Sequence, residues 1–250
     1  MVRVAEVGDL SIFGTMKAAA MSFDGGARGE VGSLSISGKM KAVGCTLCLA
    51  VGPGGAVWAQ EAALPAGSYK LDPYHSTLVF SVSHLGFSDY VMSFDTFDAA
   101  LELDPADPGK AALSVSVDPA SLDVPRPPEG FMEELMGESW LNAGAHPEIS
   151  FTSTGIEMTG GEAAMVTGDL TLLGVTKPVT LEVTFNGGYA GHPFDPNARI
   201  GFSAEGSFNR SDFGMGYGIP APGTTMGVGD AVTVRIETEF TGPAMEDKKD

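Results

Sequence analysis

The sequence predicts an all-β fold of eight antiparallel strands. Three observations carry it: apolar and polar residues alternate strictly in eight stretches from Tyr69 onward, a single segment shows helical spacing, and turn residues fill the intervals. A period of two sends successive side chains to opposite faces, and in every stretch one of those faces is polar.

The first strand, 77–84, places Leu78, Phe80, Val82 and His84 opposite Val79, Ser81 and Ser83. The second, 91–103, alternates on both sides of a slip at Asp95-Thr96, which reads as one long strand with a bulge. In the third, 112–118, Leu113, Val115 and Val117 oppose Ser114 and Ser116, and in the fourth Ile149, Phe151 and Ser153 oppose Ser150, Thr152 and Thr154. The run "GDLTLLGVTKPVTLEV" (168–183) supplies a hairpin. Val166, Gly168, Leu170 and Leu172 share a face before its turn, and Val179, Leu181, Val183 and Phe185 share one after it. The seventh strand, 199–208, carries Ile200, Phe202, Ala204, Gly206 and Phe208 on one side, and the eighth carries Val232, Val234, Ile236 and Phe240.

The helix falls between the third and fourth strands, over 128–141, where Met132, Leu135, Met136 and Trp140 form a stripe and Glu133, Glu134 and Glu138 lie off it. Asp104-Pro105, Asp107-Pro108-Gly109, Gly160-Gly161, Asn186-Gly187-Gly188 and Pro220-Ala221-Pro222-Gly223 mark turns. No sustained change of composition interrupts 66–242, which is read as one domain, followed by a charged, acidic tail at 243–250.

Antiparallel strands with one apolar face must stack on a second layer or close on themselves. Eight of them can form a barrel or a sandwich, and alternation alone leaves both open. Gly168, Ala204 and Gly206 lie among large inward residues, and small side chains there are expected to leave a lumen unfilled.

Ahead of the domain, Met40-Lys41, an apolar run and small residues at Val57 and Ala59 form a secretory signal pattern over 40–59, with cleavage expected after Ala59. The apolar run is shorter than the roughly 18–20 residues a bilayer span needs, so stable membrane insertion is not expected after cleavage. Cys45 and Cys48 would leave with the signal, so the Cys-x-x-Cys is not read as a redox pair, and a cysteine-free mature chain suits the periplasm. Residues 1–39 are read as an upstream artefact or a disordered lead; the near-copies at 10–19 and 34–43 are too little for a repeat architecture.

The chain has a net charge of −18, and essentially all of the excess acid lies after residue 59. Such a surface repels phosphate backbones, which argues against nucleic-acid partners. Only 18% of residues are charged, and 34 glycines and 16 prolines suit a compact, turn-rich domain better than disorder.

Four segments carry a resemblance: "YKLDPYHSTLVFSVSHLG" (69–86), "HPEISFTST" (146–154), "VTGDLTLLGVTKPVTLEV" (166–183), and "RSDFGMG" (210–216) followed by "VGDAVTVRIETEF" (228–240). Together they resemble the YceI-like periplasmic polyisoprenoid- and lipid-binding family. The stretch 124–146, with Pro127 and Pro128 after Arg126, departs from the family pattern. The resemblance implies an eight-stranded antiparallel barrel of lipocalin-like shape, without a catalytic cofactor, whose apolar lumen holds a polyprenyl chain, quinone or other long-chain amphiphile for transport or storage. Lining residues are then expected at Phe80, Val82, Phe94, Leu170, Leu181, Val183, Phe185, Phe202 and Val234, with Phe131, Leu135 and Trp140 closing one end and His84 as a polar contact at a mouth. The competing reading is a secreted stress-response or interaction module with a barrel filled by side chains; a homodimer stays open.

Enzyme signatures are missing: no Gly-x-Ser-x-Gly, phosphate-loop or His-Glu-x-x-His motif occurs, and Glu134 with Glu138 reads as a solvated face. No metal site is expected, because His75 and His84 bracket a strand of roughly 30 Å and His146 and His192 lie in loops. His75 with Ser76 reads as a hydrogen-bonding pair at a strand start. Arg210 and Asp212 read as an ion pair at the turn after the seventh strand, with a headgroup anchor as the alternative.

Overall fold

The computed structural model describes residues 63–245. The lead, the signal pattern with Cys45 and Cys48, and residues 246–250 of the tail lie outside the described residues.

The strands are β1 (Gly67–Leu71), β2 (Thr77–His84), β3 (Ser88–Phe94), β4 (Phe97–Leu103), β5 (Ala112–Val117), β6 (Leu122–Asp123), β7 (Ile149–Gly160), β8 (Ala163–Leu172), β9 (Val175–Tyr189), β10 (Asn197–Asn209) and β11 (Val228–Ala244). All pairings are antiparallel, in the order β1-β4-β5-β7-β8-β9-β10-β11, and β1 pairs with β11 to shut an eight-membered ring. This decides for a barrel over a sandwich.

Among the described residues eleven strands stand where the sequence predicts eight, because three walls of the ring are each broken in two. β1 and β2 follow one another along β11, with Leu71 opposite Phe240 and Thr77 opposite Glu237. β4 and β3 accompany them, with Lys70 opposite Ala100 and Leu78 opposite Phe94. β5 and β6 complete the set, with Val117 opposite Phe97 and Leu122 opposite Phe94. The slip at Asp95-Thr96 is therefore a break and not a bulge. Adjacent breaks are stitched to one another: the Asp95 N–H donates to the Ser121 carbonyl, the Asp118 N–H to the Thr96 carbonyl, and the Thr96 N–H to Ser121 Oγ.

The helix is also shorter than predicted. α1 covers Phe131–Met136 alone, since Gly130 takes a φ of 78° at its start, Gly137 turns extended at its end, and Pro127 and Pro128 precede it. Leu135 is buried, while Met132, Met136 and Trp140 pack half-buried against the core cluster that Leu135 shares with Val82, Met92, Phe94 and Val117.

The hairpin between β8 and β9 turns through Leu173 (φ 52°) and Gly174 (φ 72°), a pair of left-handed residues that suits the twist of a two-residue connection. The glycines of the inner face do not leave space. A Cβ on Gly168 would lie 2.3 Å from Phe151 Cζ, and one on Gly206 would lie 2.5 Å from Leu181 Cδ2, so large neighbours on the paired strands fill both positions. Of the three small residues, Ala204 lines the hollow.

Candidate functional site

Within the ring is a cavity of about 490 Å³, inside the range of about 300–1,000 Å³ typical of small-molecule sites. Its walls come from the inward side chains of nearly every strand. Phe80, Leu113, Val115, Phe185, Phe202, Val234 and Ile236 all face it and are only half-buried, as expected where inward side chains meet open space in place of one another. The interior is therefore not plugged by side chains.

Of the residues expected to line it, Phe80, Val82, Phe94, Leu135, Trp140, Leu170, Leu181, Val183, Phe185, Phe202 and Val234 do so. Phe80 stacks on Phe94 with centroids 5.1 Å apart, and Phe185 tilts against Phe202 at 5.5 Å. His84 and Phe131 do not line it. β11 bulges between Val228 and Val232, so the pair His84–Val228 lies beyond the irregularity, and His84 is left exposed at the strand end with its ring 6.4 Å from Tyr90. Phe131, at the start of the short helix, turns its ring edge-on to Tyr90 at 6.3 Å.

The cavity has two unlike ends. Its exposed lining residues are Pro105, beyond β4, and Met158, Gly161 and Glu162 at the β7–β8 turn, which together frame a mouth. At the other end the lining residues Trp140, Arg210, Met215 and Val228 are buried or half-buried.

Arg210 overturns its predicted pairing. It opens a 3-10 turn (Arg210–Phe213), which carries the side chain inward, where it is 1% exposed and makes no ion pair with Asp212. Its Nε, Nη1 and Nη2 donate to the carbonyls of Gly229, Met215 and Val228, each at 2.9 Å. The guanidinium sits 5.2 Å from the centre of the Trp140 ring, a cation–π distance. Burial pushes its pKa down, opposed by the charge of Asp230. Arginine nevertheless stays protonated.

A second polar group lies outside the cavity, at the break between β1 and β2. His75 Nδ1 meets Asp72 Oδ2 at 3.0 Å, the Tyr74 N–H donates to Asp72 Oδ1, and Arg199 bridges Asp72 and Asp195. The Ser76 hydroxyl accepts the Glu239 N–H at 3.1 Å, and Tyr189 donates to Asp195 at 2.8 Å. The hydrogen bond from His75, aided by those from Tyr74 and Arg199, lowers Asp72 from 3.8 to about 2. Asp72, His75 and Glu239 offer ligand atoms within 4.8 Å of one another, a juxtaposition that spacing along the chain does not reveal. Arg199 already occupies the Asp72 carboxylate, so the group works as an ion-pair network.

The family profile described as "YceI-like domain" matches residues 69–240. A UPF0312 protein of Pseudomonas putida strain W619 is 38% identical over 164 residues, covering 64% of this chain and 80% of the relative. Among solved structures, Burkholderia cenocepacia BcnA superposes with a TM-score of 0.58 at 24% identity, covering 68% of this chain and 98% of its own. A polyisoprenoid binding domain from Saccharophagus degradans, implicated in plant cell wall breakdown, superposes with a TM-score of 0.50 at 13% identity, covering 72% of this chain and all of its own. These two likenesses are likenesses of fold.

Proposed function

The chain belongs to the YceI-like family, and from that premise we propose that it binds a long-chain amphiphile, of the polyisoprenoid or quinone kind, inside its barrel and carries or stores it in the periplasm. One observation carries the reading: a ring of inward aliphatic and aromatic side chains surrounds a hollow of about 490 Å³ that opens between Pro105, Met158, Gly161 and Glu162. That a barrel of this fold serves a polyisoprenoid binding domain elsewhere supports it.

The physics of the lining favours binding over catalysis. Few polar side chains reach the cavity, among them Ser150, Glu162, Arg210 and Thr238. Covering roughly 400–600 Å² of tail at about 25 cal/mol/Å² gives on the order of 10–15 kcal/mol gross. Lost translational and rotational freedom removes much of it. The secretory reading of 40–59 supplies the compartment.

The test is organic extraction of the protein purified from an envelope fraction, followed by mass spectrometry of the extract. A stoichiometric prenyl, quinone or acyl species is expected. An extract without lipid, from protein that also ignores added prenyl lipids, overturns the reading.

A further inference from the structure

We propose that the closed end of the cavity receives an anionic headgroup, a carboxylate or phosphate, so that the amphiphile lies head inward on Arg210 and Trp140 with its tail toward the mouth. The inference rests on the lipid-binding reading above and names the chemistry of the ligand's head.

Arg210 is a buried charge without an ion-pair partner among the described residues. Its three bonds go to backbone carbonyls, whose dipoles solvate the guanidinium but carry no net charge to neutralise it. Asp230, the carboxylate that bears on it electrostatically, is itself engaged by the Ser211 N–H and hydroxyl at 2.9 and 2.7 Å. A guanidinium has five N–H groups, so two remain uncommitted among the described residues. Nearby, the Trp140 indole Nε1 is buried and has no hydrogen-bond partner among the described residues. Arg210 and Trp140 thus both line the same apolar cavity while the guanidinium and the indole N–H are themselves buried, and buried groups of this kind are costly unless a partner arrives.

The register places them at the bottom. Gly206 lies opposite Leu181, and the chain continues through Asn209 to Arg210. Along the neighbouring pair, Leu181 is opposite Val166, whereas Thr184 is opposite Ala163 beside the mouth. Moving from Leu181 toward Arg210 therefore leads away from the mouth. Glu162 is the acidic lining residue, and it stands at that mouth. Negative potential at the entrance and positive potential at the bottom orient an anionic head inward.

The experiment compares matched probes on the delipidated full chain by calorimetry near neutral pH: palmitic acid against palmityl alcohol, and geranylgeranyl phosphate against geranylgeraniol. The acidic member of at least one pair is expected to bind about tenfold tighter or more than its alcohol. Which pair shows the preference identifies a fatty carboxylate or a prenyl phosphate as the source. Arg210→Gln should erase the preference, read as the ratio of acid to alcohol affinity within each pair, and Trp140→Phe, which removes the donor and keeps a ring, should reduce it. If Arg210→Gln does not fold, the wild-type pairs and Trp140→Phe decide. Equal affinity for acid and alcohol in both pairs overturns the headgroup proposal and leaves lipid binding standing. Failure of all four probes to bind overturns both.

Discussion

Gly168 shows how a barrel wall can be thick where its own residue is smallest. Phe151 and the Thr152 carbonyl occupy the volume in front of it, and a Cβ would stand 2.3 and 2.6 Å from them. Gly168→Ala should therefore destabilise the protein by about 1–3 kcal/mol, read as a fall in the urea midpoint; an unchanged midpoint would mean that the Phe151 ring yields freely. Alternation along 166–172 locates the face on which Gly168 lies, and that much was legible. Which cross-strand ring leans over it depends on pairing, with Ser153 opposite Gly168 and Phe151 opposite Leu170, and no single strand encodes that. Arg210 follows the same logic. Its motif stood out in the chain, but the nearby Asp212 suggested an ion pair, whereas the turn points the guanidinium at carbonyls of β11.

The breaks in β1/β2, β4/β3 and β5/β6 lie side by side, and polar side chains hold them where ladder bonds are missing. Asp72 is the centre of one, joining its own corner to Arg199 of β10. Because its pKa is lower folded than unfolded, its contribution is present above about 3.8 and is lost as pH falls through about 2. His75 behaves oppositely: Asp72 raises its pKa, so its contribution is present in acid and is lost as pH rises through the raised value. Asp72→Asn should flatten the decline of melting temperature between pH 4 and 2, and parallel profiles for variant and wild type would remove Asp72 from this role. At this scale the long strands declared themselves by period two. β1 and β6 are five and two residues long, too short for a pattern, and α1 shrank because Gly130 and Gly137 bound a stripe whose spacing runs past them.

For the molecule as a whole, the informative contrast is between a hollow and a packed interior. Phe202 faces the cavity, with Phe185 at 5.5 Å and Phe240 at 6.1 Å. Phe202→Trp enlarges a side chain at this wall and should lower uptake of a prenyl lipid several-fold while moving the melting temperature little. The reverse, stability lost and uptake kept, would indicate a tightly packed interior. The hollow was only partly legible. Alternation found walls such as Leu170, Leu181 and Phe185, but it also counted His84 inward by parity, where a bulge in β11 intervenes.

Ring closure joins the two ends of the domain: Lys70 and Leu71 meet Thr241 and Phe240, and the following segment zips along β11 as far as Val228. A nascent chain lacking its last strand thus exposes two unmatched edges and an oily trough between them. The final seam can form only once almost the entire domain has been synthesised, so truncation near the C-terminus undoes the vessel as a whole and does not merely shorten one stave.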